Sequence, residues 1–248
     1  MIKIIEKSDK DLSIYTNNDL IPYLNECNQF TVNELSLIND LMKQNYFKVP
    51  SILINQAWGT EKVFYPFSTK LFRVIFNNLG NTSLQLHPIK SEYYISLRDE
   101  TIVIDEDKEY KMEKFSTVNI PKNTIHSLRK GSKVFEEQDN NLFDNRETIR
   151  ILDSLNRKVD SPNDYLKYLL PQHKNKIELN SSIENNYTLN GDKFIFLIEG
   201  EIVIKDDGKQ NSLNEKEELY FFKNSVEIKE IKGKAKIIDC RYYGVNNL

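Results

Sequence analysis

The stretch TSLQLHPIKSEYYISL, residues 82–97, decides how the fold and the chemistry of this chain are interpreted. Successive side chains of a strand alternate between its two faces, so Gln85 and His87 are expected to point the same way. A turn is expected at 87–90, and Glu92 can then return to the same side from the next strand. The pattern indicates either a set of metal ligands or the polar face of an ordinary strand.

A second imidazole favours the metal interpretation. His126 lies in VNIPKNTIHSL, after a turn led by proline and at the start of another predicted strand. Together with Gln85, His87 and Glu92 it offers two nitrogens and two oxygens, which leaves coordination positions open as in catalytic metal sites. Such ligands suit zinc or, failing that, iron, manganese, nickel or cobalt.

The structural alternative is that each histidine is a surface or hydrogen-bonded residue, which is the commoner role of a lone histidine on a strand. Two of the three histidines of the chain, however, occur in one β-rich segment with a glutamate at ligand spacing. His173, in PQHKNK, has no comparable neighbours and is predicted to lie on the surface.

Composition excludes several classes of function. The formal net charge of -3 gives none of the basic surplus that a nucleic-acid binder shows. Cys27 and Cys240 form no CxxC motif, so a disulfide framework is not expected. This use of cysteine fits a reducing compartment. The N-terminus MIKIIEKSDKDLS lacks the apolar core of a signal peptide, and no run of about 18 apolar residues could cross a membrane. We therefore expect a cytoplasmic protein without nucleic-acid or membrane partners.

The pattern of apolar and turn-forming residues divides the 248 residues into helical and β-rich parts. Residues 1–52 are predicted to be a helical segment, because Thr31 and Glu34 form a capping box ahead of apolar residues at helical spacing. From residue 53 onward, short β-rich runs such as LFRVIF and TIVID alternate with turn signals, as in an antiparallel barrel or sandwich. This β module is predicted to span 53–160 and to hold the metal site.

The remainder, 161–248, is predicted to be a helical linker followed by a second β module. Ser161 can cap a helix that has Pro162 at its first position. The run KFIFLIEGEIVIKDDG then restores the strand pattern, and its Asp-Asp-Gly at 206–208 favours a hairpin turn.

The two β modules resemble each other at an offset of 100 to 101 residues. Ile102-Val103-Ile104 aligns with Ile202-Val203-Ile204, and Lys122-Asn123 aligns with Lys223-Asn224. A repeated module is the simpler explanation. The alternative is chance similarity between strands that are rich in Ile, Lys and Glu.

Four blocks in this order resemble the cupin superfamily and, more narrowly, its phosphomannose isomerases. They are WGTEKVF at 58–64, TSLQLHPIKSE at 82–92, VNIPKNTIHSL at 118–128 and VFEEQDNNLFDNRETIRILD at 134–153. The last block is similar to the isomerase module of the bifunctional (type II) enzymes without a gap. The tail is more similar to the C-terminal cupin of the monofunctional (class I) enzymes. The resemblance implies a mainly β protein with two cupin-type jelly-roll barrels, in addition to the helical N-terminal segment and linker.

The resemblance also implies site residues and a reaction. Zinc would be held by Gln85, His87, Glu92 and His126, and a phosphorylated hexose would be isomerised, most plausibly mannose 6-phosphate to fructose 6-phosphate through a cis-enediol. It further implies that Lys90 and Arg150 face the substrate pocket.

The role of each pocket residue has alternatives. Lys90 and Glu136 are both candidates for the base that moves a proton, and the sequence does not choose between them. Arg150 suits a phosphate or the sugar oxygens. The structural alternatives are a solvated turn lysine for Lys90 and the outward face of a strand for Arg150, whereas Trp58 and Gly59 are expected to be an aromatic anchor at a barrel edge and a tight turn.

Two departures from the family pattern matter. The usual glycine after Ile-Pro is replaced by Lys122-Asn123, and asparagine tolerates the positive φ that such a turn requires. In the second module, the position that matches His126 falls near Glu227, and nothing like Gln-x-His occurs around Asn185–Tyr187. The second barrel is therefore expected to be free of metal.

Two other functions fit the same barrel. A sugar-binding or regulatory cupin could keep the metal pocket without catalysis. A metal-dependent oxygenase would need iron and an open site for oxygen, and the glutamine ligand argues mildly against it.

Overall fold

The computed structural model describes residues 2–5, 40–41, 43–64, 70–105, 108–139, 148–153, 178–180, 193–223 and 226–238. These residues are mainly β, as predicted. The strands are β1 (Ile2–Ile5), β2 (Tyr46–Lys48), β3 (Ser51–Gln56), β4 (Gly59–Phe64), β5 (Leu71–Phe76), β6 (Leu84–Leu86), β7 (Glu92–Ser96), β8 (Thr101–Asp105), β9 (Lys108–Met112), β10 (Thr117–Ile120), β11 (Ser127–Leu128), β12 (Lys133–Gln138), β13 (Ile149–Leu152), β14 (Glu178–Asn180), β15 (Lys193–Asp206), β16 (Lys209–Leu213), β17 (Glu218–Phe222) and β18 (Glu227–Ile238).

The chain divides into two compact units. The first comprises 1–28, 51–63 and 70–181, and the second comprises 29–50, 64–69 and 182–248. In the first unit, eight strands form a sheet in the order β1-β3-β4-β5-β12-β7-β10-β14. A three-stranded sheet, β11-β8-β9, and a two-stranded sheet, β13-β6, complete the part of this unit that the structure describes.

Apolar side chains from the eight-stranded and three-stranded sheets share one core. Ile75 and Val134 of the large sheet lie in the same buried cluster as Val103 and Met112 of the small one. Trp58 belongs to this cluster and is 2% exposed, in line with its expected role as an anchor. The central strands β5 and β12 are buried along nearly their whole length, so their polar residues must find partners inside the protein.

Gly59 allows the hairpin between β3 and β4 to lie close to the end of β5. Its φ is +154°, and a Cβ at this position would lie 2.0 Å from the carbonyl oxygen of Phe76. We expect Gly59→Ala to lower the free energy of unfolding by about 2 kcal/mol or more, because backbone must move to relieve the overlap. Urea unfolding followed by the fluorescence of Trp58, the one tryptophan of the chain, measures this.

Gly131→Ala is the matched control for that prediction. Gly131 also has a positive φ, +93°, but nothing lies within 4 Å of the added carbon. Its replacement is expected to cost about 1 kcal/mol, from backbone conformation alone. Equal losses in the two variants would show that close approach of the backbone does not constrain position 59.

The second unit is built on the long strand β15, which pairs with β16, β17 and β18, and β2 extends this sheet beside β17. The predicted turn at 206–208 is confirmed: Asp206 pairs with Lys209, and both Asp207 and Gly208 have positive φ. The corresponding hairpin of the first unit closes in the same way, with Asp105 paired to Lys108. The two modules therefore share a hairpin of equal loop length, while the two-barrel arrangement stays a prediction.

The helical prediction for 1–52 is wrong at both ends of that segment. Ile2–Ile5 and Tyr46–Lys48 are strands, and Ser51 already begins β3. Apolar residues at helical spacing occur only over 31–42. The prediction extended the helix over neighbouring apolar runs, which are too short for their spacing to distinguish a strand from a helix. Asp40 and Leu41 are helical.

Most of the predicted helix over 31–45, and all of the predicted helix at 161–170, fall outside the described residues. The domain boundaries at 52/53 and 160/161 stay predictions. Within the described ranges, no helix is both long and apolar enough to span a lipid bilayer.

Candidate metal centre

Two segments from different parts of the first unit meet at one pair of residues. Gln85 in β6 and His126 just ahead of β11 bridge each other in antiparallel fashion. Their backbones exchange both hydrogen bonds, Gln85 N to His126 O at 2.9 Å and His126 N to Gln85 O at 2.8 Å. Residues paired in this way present their side chains on the same face of the sheet.

A further bond fixes the turn between Pro121 and His126. The backbone N–H of Asn123 donates to the carbonyl of His87 at 2.8 Å. Asn123 has φ of +61°, so the expectation that asparagine replaces the usual glycine at this turn is confirmed. His87 and His126 are thereby held on adjacent backbones.

Glu92 opens β7 and places its carboxylate between the two imidazoles. Oε1 lies 3.1 Å from His87 Nε2, and Oε2 lies 3.1 Å from His126 Nε2. The ring centroids of the two histidines are 5.3 Å apart. His87, Glu92 and His126 are all buried, and the three ligand atoms lie within 4.8 Å of one another. They form a group that could hold a metal ion.

The donor atoms of this group fit a divalent cation. His126 Nδ1 lies 2.9 Å from the carbonyl oxygen of Thr124, which only accepts, so this nitrogen carries the proton. In the neutral ring, Nε2 then presents a lone pair to the Glu92 carboxylate. That contact is favourable only if the ring gains a second proton or if a cation is shared between nitrogen and oxygen.

The surrounding charges also suit a cation. Five buried charged side chains lie in the group or in the polar network beside it: Glu92 itself with Lys90, and Arg73 with its partners Glu61 and Glu136. With neutral histidines one negative charge remains, and an unbalanced buried charge is costly. Burial by itself raises the pKa of Glu92, but the charges of a protonated His87 and of Lys90, with hydrogen bonds donated by both protonated rings, lower it well below its usual value. A cation held in place of those ring protons would favour the ionised carboxylate in the same way. Glu92 is therefore ionised, as a metal ligand must be.

Gln85 lies beside this group. Its Oε1 accepts a hydrogen bond from Ser83 Oγ at 2.7 Å, and its Nε2 lies 3.2 Å from His87 Nε2. The amide nitrogen, rather than the oxygen, therefore faces the histidine. Ligation by Gln85 would require the amide to turn about its last side-chain bond, which exchanges the two atoms.

Comparison by sequence gives no match: no family model matches the chain, and neither does any curated protein. Comparison of structures, in contrast, finds similar proteins. The mannose 6-phosphate isomerase of Bacillus subtilis superposes with a TM-score of 0.55 at 13% identity, over 78% of this chain and 99% of that one. A mutant phosphomannose isomerase of Salmonella typhimurium gives 0.53 at 10% identity, over 69% of this chain and 79% of that one. The chain has the cupin fold of the phosphomannose isomerases. A mutant oxalate decarboxylase of B. subtilis, also a cupin, gives 0.47 at 11% identity, over 78% and 75% of the two chains.

Lys90 faces the interior of the first unit. Its side chain is buried, and Nζ lies 3.2 Å from Glu92 Oε1. The alternative of a solvated turn lysine is therefore wrong. Arg150, on β13, is half-buried and is the cross-strand partner of Gln85, so the two side chains leave the sheet on the same face.

Glu136 is held by an arginine that the sequence analysis did not single out. Arg73 Nε donates to Glu136 Oε2 at 2.6 Å, and a second guanidinium nitrogen donates to Oε1 at 2.9 Å. Gln138 Nε2 donates to Glu136 and lies 3.5 Å from Glu92 Oε1. Burial, followed by the nearby charge of Glu92, raises the pKa of Glu136, although the attraction of Arg73 works against this.

The network of buried polar side chains around Glu136 continues across the eight-stranded sheet of the first unit. Arg73 also donates to Glu61 Oε2 at 3.1 Å, and Glu61 Oε1 accepts from Gln56 Nε2 at 2.5 Å. One signal could have found Arg73: it is a charged residue inside the otherwise apolar run LFRVIF. Nothing local in the sequence links Glu61 to the site, because its contact with Arg73 depends on strand register.

Proposed function

We propose that this protein is a zinc-dependent sugar-phosphate isomerase, acting most plausibly on mannose 6-phosphate to give fructose 6-phosphate. The observation that carries the proposal is the buried group of His87, Glu92 and His126, with ligand atoms within 4.8 Å of one another. The fold is that of solved structures named as mannose 6-phosphate isomerases, which supports the same reaction class. Zinc is proposed because two imidazoles and a carboxylate are ligands that it favours.

The reaction moves a proton between C1 and C2 of the open-chain sugar through a cis-enediol. His87, Glu92 and His126, with Gln85 as a fourth ligand once its amide has turned, would hold a divalent ion, which would supply Lewis-acid stabilisation of the negative charge that develops in the transition state. The protein must then provide a group that carries the proton, and a cation that holds the substrate.

We assign the proton transfer to Lys90, with Glu136 as the alternative. The Lys90 ammonium lies beside the metal group, 3.2 Å from Glu92. Both oxygens of Glu136 already accept bonds from Arg73, so protonation of Glu136 would break a two-point ion pair. Lys90 would act as the base in its neutral amine form and would take the proton up as the ammonium. Arg150, across from Gln85, is assigned to the substrate phosphate or the sugar oxygens, which its planar donor fork suits.

The decisive experiment combines elemental analysis with a metal-replete coupled assay for mannose 6-phosphate. We expect about one zinc per chain and measurable turnover, since three to four protein ligands make one site. Protein that carries zinc but turns over no hexose phosphate would contradict the enzymatic assignment. Stabilisation by sugar phosphates without turnover would favour a sugar-binding or regulatory protein, and iron in place of zinc would favour an oxygenase.

The proton carrier is tested by two substitutions. Lys90→Met is expected to lower turnover and deuterium uptake from D2O at the exchanging carbon by about 100-fold or more, the usual contribution of general acid–base catalysis. Zinc content stays the same, because Lys90 is not one of the proposed ligands. Lys130→Met, at an exposed position, is the control. If Lys90→Met keeps deuterium uptake and Glu136→Gln loses it, the role belongs to Glu136.

A further inference from the structure

Tyr94 contacts two of the proposed metal ligands. It follows Glu92 by two residues on β7, so both side chains lie on one face of the strand. Its hydroxyl donates to Glu92 Oε2 at 2.5 Å, the same oxygen that lies 3.1 Å from His126 Nε2. Its ring meets the imidazole of His126 edge to face, with centroids 6.5 Å apart.

We propose that Tyr94 is a positioning residue of the metal site, whose hydroxyl fixes the orientation of the Glu92 carboxylate and so raises the affinity for the ion. The inference rests on the metal-binding half of the proposed function. It adds a residue that lies outside the four ligand positions, and it concerns binding of the ion rather than turnover.

The position of Tyr94 makes it a rigid reference point. β7 lies between β12 and β10, and the cross-strand partners of Tyr94 are Glu136 and Val118. The ring belongs to the shared core with Trp58 and Ile75 and is 3% exposed. The phenol oxygen therefore cannot follow a moving carboxylate, and the carboxylate must adopt the orientation that the phenol sets.

The hydrogen bond itself is of the strong type. An O–H donor to an ionised carboxylate at 2.5 Å is at the short end of charge-assisted bonds. Groups that orient a metal ligand in this way commonly contribute 10- to 100-fold to metal affinity.

A purely structural role would look different. A core tyrosine also needs some acceptor for its hydroxyl, and Glu92 could be no more than the nearest one. In that case removal of the hydroxyl changes the stability of the protein and leaves the affinity for metal as it was. Zinc affinity, measured by competition with a chromophoric chelator, separates the two roles and does not depend on isomerase activity.

We expect Tyr94→Phe to bind zinc about 10- to 100-fold more weakly than the unaltered protein. Tyr110→Phe is the matched control, because Tyr110 packs against the same core while its hydroxyl lies 3.5 Å from the carboxylate of Asp105 instead. Its affinity for zinc is expected to stay within about twofold of the unaltered protein, since Asp105 is not a proposed ligand.

Each outcome decides the inference. Equal affinities for unaltered protein and Tyr94→Phe overturn it, and so does an equal loss in both phenylalanine variants, which would indicate packing. If the unaltered protein binds no zinc, the proposed function fails and the inference fails with it. Should circular dichroism show that Tyr94→Phe has not folded, 3-fluorotyrosine placed at position 94 replaces it. Its 19F resonance is expected to shift when zinc is added, and an unchanged resonance overturns the inference.

Discussion

We expect His126→Ala to contain no zinc after purification and the unaltered protein to contain about one zinc per chain. This is the largest effect that we expect at the site. The substitution removes one of the three proposed ligands, all of them buried. It also removes the imidazole from Glu92 Oε2, which then keeps the hydroxyl of Tyr94 as its partner. Isomerase turnover is lost together with the ion, because the charge that develops on the sugar oxygen is no longer stabilised. Elemental analysis and the coupled assay measure the two losses.

His173→Ala is the control for this experiment. It removes the third histidine of the chain, which the sequence pattern leaves outside the ligand set. Its zinc content and turnover are expected to match those of the unaltered protein. A His126→Ala protein that keeps a full equivalent of zinc would show that the ion binds elsewhere and would remove the basis of the proposed function.

Arg73→Ala is expected to lower the free energy of unfolding by about 3–5 kcal/mol at neutral pH. Arg73 is the cation between Glu136 and Glu61, and all three side chains are buried. Its removal leaves two carboxylates inside the sheet, which must either stay charged without a partner or take up protons. Urea unfolding followed by the fluorescence of Trp58 reports on this unit of the chain.

Arg129→Ala provides a matched comparison on the surface. Arg129 also bonds both oxygens of one carboxylate, that of Glu109, at 2.8 and 2.7 Å, but its side chain is 48% exposed. Water screens such a pair, so its loss is expected to cost less than about 1 kcal/mol. Similar losses for the two arginines would mean that burial does not raise the cost of removing Arg73.

The sequence could predict the parts of the site that depend on local geometry. The alternation of a strand put Gln85 and His87 on one side, and the short turn after His87 brought Glu92 back to the same place. The hairpin at Asp207-Gly208 and the left-handed Asn123 followed from the conformations that these residue types tolerate.

What the sequence could not predict depends on strand register and on long-range pairing. Arg73 meets Glu136 because β5 and β12 pair in a register that places them directly opposite each other. Val118 and Glu136 flank Tyr94 only because β7 pairs with β10 on one side and β12 on the other. The helical prediction failed at Tyr46–Lys48 because these residues pair with β17, more than 170 positions along the chain. A propensity pattern contains no information on such partners.

The three backbone hydrogen bonds that join 85–87 to 123–126 bear on how the proposed site would take up an ion. Because backbone pairing, rather than coordination, brings the two histidines together, His87 and His126 are in place without help from an ion. If the proposed ion binds here, we expect that a chelator can remove it and that added zinc can replace it without passage through a denatured state. This would distinguish the protein from small zinc-dependent domains, which collapse when the ion is withdrawn.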